Sequence, residues 1–545
     1  MSASLDHLGD VRTDRLDHHG IIAGVCDDIQ LVEHIDRVLP SHRNVSHGQA
    51  VKAMVINATG FVGRALYLVP EFFAGKPVDR LIGPGIAAAD LNDDALGRTL
   101  DALFEFGVTE LYALIASVAI DTFALSTQAC HLDSSSFSLQ GEYTSTSDDP
   151  RVIEITHGYS KDRRPDLKQF VLELICCEAS QIPLWMEVLS GNSSDKAHFA
   201  STCRRFIDNM RDAKPTYLIA DSALYSSDNM NQLSDTWWIT RVPGTLSAVK
   251  AICDETQEKE FLSMPDHPGY HYVEFEYQGA GQERWLLVHS EKAYTRELKA
   301  LDKKIGRECE LAIKRMKKLC AKSFACEPDA RAAVQDQADK LKYHTIEYEL
   351  EKKAHYKGRG RPKRGQDPDE VTWSVKVIDI VAEPDWVADQ KQKLGRFVLA
   401  TNQLEAEVLS PSKWLELYKS QTVSAERGFR FLKDPRFFAD GMYLKNPERV
   451  MSMVMIMSLG LLVYALAERK LRHGLRESEE TIPDQKGKPT DRPTMRRVFQ
   501  IFEGVDILVI KIGDQWISKV TNLNEVRKQI LRHLGPNIEK YYASG

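Results

Sequence analysis

The sequence lacks several features that would each define a class of protein. None of its nine cysteines forms a Cys-x-x-Cys pair, which is the spacing typical of structural zinc and redox sites. The formal net charge is −7, so a uniformly basic surface is excluded and only local basic stretches could bind a polyanion. Residues 1–14 are polar and acidic, unlike a secretory signal peptide. These absences indicate a cytoplasmic protein with reduced thiols, long enough at 545 residues for more than one domain.

Long apolar runs are also scarce. The exception is the stretch 450–467, which is almost entirely apolar but contains Ser452 and Ser458. A membrane-spanning helix needs about 20 apolar residues, and no second candidate span accompanies this one. We therefore expect a buried helix that packs against the core, and no membrane partner.

Three stretches each supply one carboxylate. The apolar, strand-like stretch 127–139 contains Asp133, and a second strand-like stretch, 216–220, leads directly into Asp221. Apolar residues at helical spacing predict a helix that carries Glu426. Acids that meet at one point raise each other's pKa values unless a cation lies between them. Such oxygen ligands favour Mg²⁺ or Mn²⁺, and two ions about 4 Å apart would suit phosphoryl transfer.

The residues around these acids follow a recognisable signature. Together they resemble the DDE transposases of bacterial insertion sequences, in the branch whose catalytic Glu lies within a Tyr–Arg–Glu–Lys signature on one helix. The stretches 158–169 and 397–402 also resemble this branch, and the resemblance covers roughly 46–467. Gln421 stands at the signature's Arg position, and the gap from there to Glu426 is one residue longer, a departure that affects a phosphate contact and not the acids. The matching residues are Asp133, Asp221, Tyr418, Glu426 and Lys433.

The resemblance implies a mechanism and its partners. Asp133, Asp221 and Glu426 would be the catalytic residues and would bind two Mg²⁺ (or Mn²⁺) ions. The enzyme would cut double-stranded DNA at the inverted-repeat ends of its element and join the freed 3′-hydroxyl to target DNA, with no covalent protein–DNA intermediate. A homodimer that holds paired ends, in the bacterial cytoplasm at the nucleoid, is the expected active form. Any flipped base would need an aromatic partner, for which the candidates are Trp237, Trp238, Trp373 and Trp386.

Further DNA contacts are expected on the helix of Glu426. Tyr418 precedes Glu426 by eight residues and Lys433 follows it by seven, so at 100° per residue the three lie within about 80° of one another. The resemblance implies that Tyr418 and Lys433 contact the cleaved end. Arg427 and Arg430 are additional candidates on the same helix.

Basic residues elsewhere are also candidates for contacts with DNA. The run 352–364 contains seven basic residues and no acid, and its Arg359-Gly360-Arg361-Pro362 resembles the core of an AT-hook that enters the minor groove. The alternative interpretation of this run is a solvated basic loop. A second group of basic residues lies beside the second and third predicted strands, and the alternative interpretation for that group is a solvated hairpin tip. The candidates are Arg359, Arg361, Lys363 and Arg364 in the run, and Arg163, Arg164 and Lys168 in the second group.

The order of elements predicts the fold. Three antiparallel strands at 127–139, 152–157 and 169–178 precede a helix at 195–209, and further strands follow at 216–220 and 237–242. This is the order of a ribonuclease H-like core, in which the first and fourth strands lie side by side. The segment 243–395 is too long for a loop, and its pattern predicts a hairpin, helices at 292–319 and 329–354, and a strand at 371–381.

The predicted architecture is therefore α/β, with a ribonuclease H-like mixed-sheet catalytic core interrupted by a large α+β insertion and preceded by a helical N-terminal domain. The predicted domains are 1–120 (helical, for binding DNA ends or dimerisation), 121–242 (first part of the core), 243–395 (insertion), 396–475 (second part of the core) and 476–545 (C-terminal domain).

Two alternatives to a transposase stay open. The first is a metal-dependent nuclease of the same fold, which would cut DNA without joining it. The second is a non-catalytic DNA-binding regulator that kept the fold. The long basic insertion favours the transposase over the nuclease, and the presence of all three acids argues against the regulator.

Overall fold

The computed structural model describes residues 11–60, 66–144, 147–177, 182–210, 214–357, 366–434, 444–512 and 515–544, except for the side chains of 195–197, 421–427 and 512. The protein is a mixed α/β structure with a large mixed sheet and many helices. It divides into two compact units, and each is taken separately below. The first comprises Met1–Arg241, Gln278–Glu283 and Thr401–Gly545, and the second comprises Val242–Tyr277 and Arg284–Ala400.

The first unit opens with one strand and a series of helices. Ser46 begins the third helix with a capping box, in which its hydroxyl accepts from the Gln49 backbone N–H and the Gln49 side chain accepts from the Ser46 N–H. The stretch 100–120 forms parts of two helices bent by 90°, because Gly107 between them has φ +107°. The elements are β1 (Val11–Arg15), α1 (His19–Asp28), α2 (Leu31–Val38), α3 (His47–Ala58), α4 (Val69–Phe73), α5 (Val78–Leu81), α6 (Asp93–Phe106) and α7 (Val108–Phe123).

A mixed five-stranded arrangement follows in the same unit. Its strand order is β4-β3-β2-β5-β6, with β3 antiparallel to both β2 and β4, and with β5 parallel to both β2 and β6. The predicted first and fourth strands are therefore neighbours. The elements are β2 (Ala129–Leu139), β3 (Lys168–Cys177), β4 (Ile182–Ser190), α8 (Asp195–Asn209), β5 (Tyr217–Ala220), α9 (Ser227–Gln232) and β6 (Trp237–Arg241).

The predicted second strand at 152–157 is wrong. This segment makes only an isolated bridge, between Thr156 and Gln169, because β3 is paired along both edges from Phe170 onward. The strand that takes the second edge, β4, was not predicted from the sequence. Pro183 lies near its start, and proline within an apolar run argues against a strand by pattern alone.

The second unit contains two groups of strands. Their orders are β13-β9-β8-β7 and β10-β12-β11. Behind the second group, Met316 and Leu319 pack with Ala330, Val334 and Val375 in a small apolar core. The elements are α10 (Ser247–Glu255), β7 (Leu262–Ser263), β8 (Tyr270–Gln278), β9 (Gln282–Ser290), α11 (Glu291–Cys320), β10 (Ser323–Phe324), α12 (Glu327–Ala338), β11 (His344–His355), β12 (Glu370–Ala382), α13 (Pro384–Lys393) and β13 (Arg396–Thr401), whose last residue belongs to the first unit.

The predicted helix at 329–354 is also wrong beyond Ala338. Residues 344–355 form β11 and pair with β12 along their whole length. Ile346, Tyr348 and Leu350 alternate with exposed residues and pack on the small core, a period of two that outweighs the good helix propensity of the glutamates between them.

The rest of the first unit is mainly helical. Helix α14 begins at Pro411, with Ser410 as its cap. The predicted buried helix is confirmed as α15, which is long and apolar enough to cross a membrane but has 89% of its apolar window buried inside the protein. The elements are α14 (Pro411–Leu432), α15 (Pro447–Glu477), β14 (Ile482–Pro483), β15 (Pro489–Thr490), α16 (Met495–Phe502), β16 (Asp506–Ile512), β17 (Gln515–Val520), α17 (Glu525–Leu534) and α18 (Pro536–Glu539).

Both ends of the described chain pack together in this unit. Strand β1 pairs with β16, and Ile538 of α18 lies so close to Gly24 of α1 that a Cβ there would meet it at 2.7 Å. The buried Lys52 ammonium donates to Asp27 at 2.7 Å and to the Tyr541 hydroxyl at 2.9 Å. The five-domain division predicted from the sequence stays a prediction.

Candidate active site

Asp133 lies on β2, and Asp221 directly follows the neighbouring parallel strand β5. The paired residues of β2 and β5 include Cys130 with Leu218 and His131 with Ile219. If this register is continued for two more residues along the chain, Asp133 is level with Asp221. Because adjacent strands are about 4.8 Å apart, this register brings the two carboxylate-bearing positions together at the carboxyl end of β5.

Both acids are accessible to solvent, although the strand residues next to them are buried. Asp133 is partly exposed, whereas every other residue from Ala129 to Phe137 of β2 is buried. Asp221 is exposed, directly after the buried strand β5. Backbone N–H groups hold both carboxylates: Ser134 donates to Asp133 Oδ1 and Ala223 donates to Asp221 Oδ1, each at 2.8 Å. Each carboxylate is therefore accessible to solvent next to a buried stretch of strand.

The Asp221 turn is also fixed from the next strand. The buried hydroxyl of Thr240 on β6 donates to the backbone carbonyl of Asp221 at 2.7 Å. This bond helps to fix the geometry of the turn that carries Asp221.

Helix α14 packs over the face of β2 that bears Asp133. Odd-numbered residues of a strand share one face, and two of them contact the helix on either side of Asp133. His131 lies within hydrogen-bond distance of the Ser420 hydroxyl, with 3.0 Å between Nε2 and Oγ. The rings of Phe137 and Phe429 pack with centroids 6.4 Å apart. Asp133 thus lies between two points at which the helix is attached.

Tyr418 places the first half of α14 beside Asp221. Burial raises the pKa of Tyr418, while the nearby Arg241 guanidinium lowers it and the Asp221 carboxylate raises it further. The phenol is therefore a neutral hydrogen-bonding group at neutral pH. It lies in the electrostatic field of one of the two acids.

Lys433 marks the other end of the helix. Its ammonium forms an ion pair with Asp162 at 2.7 Å and lies 5.0 Å from the centre of the Phe137 ring, a cation–π distance. The side chain is partly exposed, so a phosphate could compete with Asp162 for this cation.

Glu426 belongs to α14, between Ser420 and Phe429, but its side chain and that of Arg427 lie outside the described residues. Among the side chains that are described, no group of three His, Cys, Asp or Glu residues converges as a metal site would require. The two described carboxylates supply hard oxygen donors at one place, which fits Mg²⁺ or Mn²⁺. Completing the site would need a third ligand, and Glu426 is on the element that covers the pair.

The loop that follows residue 158 docks on β2 beside the acids. The Lys161 ammonium donates to the carbonyl and the hydroxyl of Ser134, each at 2.8 Å. Of the predicted DNA contacts here, Arg163 is exposed, and Arg164 is exposed and paired with Asp166 at 2.7 Å.

Lys168, the third predicted contact of this group, is engaged within the protein. Its ammonium donates to the carbonyl of Tyr143 at 2.9 Å and also to that of Glu142. The exposed guanidinium groups are thus better placed than Lys168 to meet a phosphate.

The remaining predicted contacts divide into two sets. Arg430 is exposed on α14. Of the basic run 352–364, the four residues of its AT-hook-like part, Arg359, Arg361, Lys363 and Arg364, lie outside the described residues. The other three basic residues of the run, Lys352, Lys353 and Lys357, are exposed at the end of the β11–β12 hairpin.

The four tryptophans proposed to stack on a flipped base differ in accessibility. Trp238 is buried, whereas Trp237 is 41% exposed and stacks on Tyr217. Trp373 packs against the small core of the second unit, and Trp386 packs edge-on against a tyrosine with ring centroids 5.0 Å apart. Of the four, Trp237 offers the most exposed ring, at the amino end of β6.

Some residues of the site were not identified from the sequence. His131, Ser420 and Arg241 gave no signal of their own, since each is one polar residue in an ordinary strand or helix. Arg241 could have been found by counting strands, because it ends the strand that follows β5. The pairing of His131 with Ser420 could not, because it depends on how the helix packs on the sheet.

Comparison with known proteins gives a match to a family model and matches to solved structures. Residues 11–117, less than half of the chain, match a family model described as a domain of unknown function (DUF4277). No curated protein matches the chain. Among solved structures, the chain is similar to one described as the cryo-EM structure of a piggyBac transposase synaptic complex with hairpin DNA, with 10% sequence identity and a TM-score of 0.25. The match covers 51% of this chain and 63% of that chain, and so low a TM-score supports no conclusion about fold or function.

Proposed function

We propose that this protein is a DDE-type DNA transposase of a bacterial insertion sequence, which cuts the ends of its element and transfers them to target DNA. The observation that carries the proposal is the register of β2 and β5, which puts Asp133 level with Asp221. One carboxylate within a strand and a second directly after the neighbouring parallel strand, both accessible to solvent and beside a helix with a third acid, fit a metal-dependent phosphoryl-transfer site. The strand order of the first unit supports a ribonuclease H-like core.

The chain's own residues have distinct tasks in this proposal. Asp133, Asp221 and Glu426 would hold Mg²⁺ or Mn²⁺, which supplies charge stabilisation for the attacking and leaving oxygens of the phosphodiester. Tyr418, neutral and beside Asp221, would donate a hydrogen bond to a phosphate of the bound end. Lys433 would exchange Asp162 for another phosphate. The three carboxylates would thus hold the cation and the phenol and the ammonium would orient the DNA, so no side chain is assigned the role of nucleophile.

The proposed partner is double-stranded DNA, as the element's inverted repeats and as target. Contacts would come from local basic groups, because the net charge of −7 gives no general attraction to a polyanion. The exposed lysines of the β11–β12 hairpin, together with Arg163, Arg164 and Arg430, are the described groups suited to phosphates. Since two ends must be cut together, the proposed active form is a homodimer in the bacterial cytoplasm.

Strand cleavage with Mg²⁺ tests the proposal. The substrate is an end-labelled duplex with the repeat that flanks the protein's own gene. We expect wild type to cut at the repeat end in Mg²⁺ or Mn²⁺ and not with chelator. Asp133→Asn and Asp221→Asn should each lower the rate by at least about 100-fold, since even residues behind metal ligands are worth about 10–100-fold.

Asp228→Asn is the matched control, because it makes the same chemical change at an exposed acid in the first turn of α9. It should cut like wild type. Cleavage that is independent of metal, or equal in wild type and Asp221→Asn, would contradict the enzyme assignment and favour a DNA-binding regulator.

A second assay separates transposition from simple hydrolysis. A pre-cut end with a free 3′-hydroxyl is mixed with supercoiled plasmid, Mg²⁺ and protein, and joined products are separated on a gel. A transposase joins the end to the plasmid, and Asp221→Asn abolishes joining. Efficient cleavage without any joined product would indicate the metal-dependent nuclease instead.

A further inference from the structure

We infer that His131 is a positioning residue, which holds helix α14 at a fixed height and rotation over β2 so that Glu426 can share a metal ion with Asp133. This inference rests on the proposed function, and it concerns a contact that the signature of acids does not include. It starts from one hydrogen bond between two elements that are far apart in the sequence.

The bond is partly buried, and a direction can be assigned to it. His131 is fully buried, and its Nε2 lies 3.0 Å from Ser420 Oγ. The Ser420 hydroxyl donates its own hydrogen to the Leu417 carbonyl at 2.6 Å. We assign the Nε2–H tautomer to the ring, in which Nε2 donates to the Ser420 hydroxyl.

An imidazole is a costly choice for packing alone. The His131 side chain is fully buried, on the face of β2 that packs against α14. Within the described part of the chain its Nδ1 has no hydrogen-bond partner, so the ring bears a desolvation cost that an apolar side chain of similar size would avoid. What the imidazole adds is one directional bond across the interface between strand and helix.

The position of the bond gives it a consequence for the site. His131 is two residues before Asp133, on the same face of β2, and Ser420 is on α14 between Tyr418 and Glu426. The bond therefore ties together the two elements that carry two of the three acids. Apolar contacts such as Phe137 with Phe429 are not directional, so without the hydrogen bond the helix could shift along the strand.

A small shift would matter. Mg²⁺ demands near-ideal octahedral geometry at about 2.1 Å, and a displacement of about 1 Å at a catalytic group can cost about 100-fold in rate. Loss of the bond should therefore weaken metal binding more than it destabilises the fold.

Four variants test this. His131→Leu removes the donor and keeps apolar bulk, and Ser420→Ala removes the acceptor from the exposed side of the pair. His131→Gln is the conservative variant, because its terminal amide N–H can replace Nε2–H. The matched control is Ser452→Ala, since Ser452 is a buried helical serine of the same unit whose hydroxyl donates to the Leu100 carbonyl at 2.7 Å, away from the acids.

The first readout is Mn²⁺ binding to the full-length protein, measured from the electron paramagnetic resonance signal of the free ion. The Tm of each variant is measured in parallel. We expect His131→Leu and Ser420→Ala each to weaken Mn²⁺ binding by about 10–100-fold, the range found for residues that orient ligands. His131→Gln should restore most of the affinity. Ser452→Ala should lower Tm without changing the affinity.

The second readout is the Mg²⁺ concentration that gives half-maximal cleavage, which should rise in parallel. The double variant His131→Leu/Ser420→Ala should be no worse than either single variant, because both remove the same bond.

Two failures can be told apart. If wild type and Ser420→Ala bind Mn²⁺ equally while Asp221→Asn abolishes cleavage, the positioning role is overturned and the proposed function stands. If wild type neither binds Mn²⁺ nor cleaves DNA, the proposed function fails and the inference fails with it.

Discussion

At the scale of single residues, the proposed site brings negatively charged side chains together, which would reduce the stability of the folded protein. Asp133 interrupts a buried stretch of β2, and the register of β2 and β5 brings Asp221 level with it. In the proposed site, two like charges at neighbouring positions would repel each other whenever no cation lies between them, which would lower the stability of the metal-free protein.

This repulsion leads to a prediction about stability. Asp133→Asn and Asp221→Asn should each raise the metal-free Tm slightly, by about 1–4 °C, because each removes half of a repelling pair. In Mg²⁺ the order should reverse, since wild type gains stability from bound metal and the variants do not. Thermal melts with and without Mg²⁺ measure this, and an Asp221→Asn variant that gains as much from Mg²⁺ as wild type would contradict the shared site.

A second residue-scale prediction concerns pH. Burial lowers the pKa of His18 to about 4, and its Nε2 donates to the Thr59 carbonyl at 3.1 Å. Below the unfolded pKa of about 6.5 the unfolded chain binds a proton that the folded chain refuses, so stability is lost as the pH falls from about 6.5 to 4. In His18→Gln, whose amide can keep the bond, the unfolding free energy should fall less steeply, by about 1.4 kcal/mol for each pH unit.

Urea unfolding of wild type and His18→Gln at several pH values between 7 and 4.5 measures the difference. Parallel pH dependences for the two proteins would mean that His18 is protonated in the folded state.

Residues also show what a sequence can and cannot reveal. Asp133 could be proposed as a site residue because it interrupts an apolar strand, where an acid bears a desolvation cost. Asp221 was proposed from its spacing from Asp133 and from the family resemblance. Ser420 and His131 are 289 positions apart, and neither belongs to a local pattern. Their pairing could only be seen once the packing of α14 on β2 was known.

At the scale of elements, α14 connects most parts of the site. Its first half brings Tyr418 into the field of Asp221, its middle is tied to His131, and its end places Lys433 against Phe137 and Asp162. The loop that carries Asp162 is itself docked on β2 through Lys161. In the protein without DNA, Asp162 is thus paired with the Lys433 ammonium, which would bind a phosphate in the proposed function.

Replacement of Asp162 should therefore strengthen DNA binding. In Asp162→Asn the Lys433 ammonium loses its carboxylate partner, and we expect end binding to tighten by about 2–5-fold at low salt, since exposed ion pairs are worth up to about 1 kcal/mol. Gel-shift titration with the repeat duplex measures it. Asp149→Asn is the control, because it removes the same charge from an exposed pair with Arg151.

The gain should disappear when Asp162→Asn is combined with Lys433→Gln. An equal gain in the Asp149→Asn control, or one that survives without Lys433, would show a general charge effect rather than competition for Lys433.

Elements differ in how well the sequence predicted them. The predicted helix at 195–209 agrees with the bounds of α8, whereas α15 extends beyond the predicted apolar stretch 450–467 to Pro447–Glu477. The pattern failed at 152–157, where the edges of β3 were already filled, and at β11, where alternating glutamates look helical by propensity. In both places tertiary pairing decided the outcome, and the order β2, β3, β5, β6 that positions the acids was unaffected.

At the scale of the whole molecule, the distribution of charge constrains how DNA could bind. A net charge of −7 means that affinity must come from a few basic groups, each releasing counterions from phosphates. The exposed lysines at positions 352, 353 and 357 lie at the end of the β11–β12 hairpin, beyond the residues that pack on the small core of the second unit.

Replacing these three lysines with glutamine should weaken binding to any duplex and reduce its dependence on salt. The slope of log K against log salt should fall by about 0.9 for each lysine that contacts phosphate. The control replaces three exposed lysines of α11, Lys299, Lys303 and Lys304, and so has the same change in net charge. Equal slopes for the two triple variants would show that the hairpin makes no specific phosphate contacts.

Whether the three acids share one pocket is best tested by iron-mediated cleavage of the polypeptide, which needs no DNA. Fe²⁺ replaces Mg²⁺ in the full-length protein, ascorbate and peroxide generate hydroxyl radicals at the bound ion, and the fragments are sized. Cuts near 133, 221 and 426 that Mg²⁺ suppresses and that Asp221→Asn abolishes together are the predicted result. Cuts near only one of these positions, or an Asp221→Asn pattern unchanged from wild type, would contradict a shared metal site.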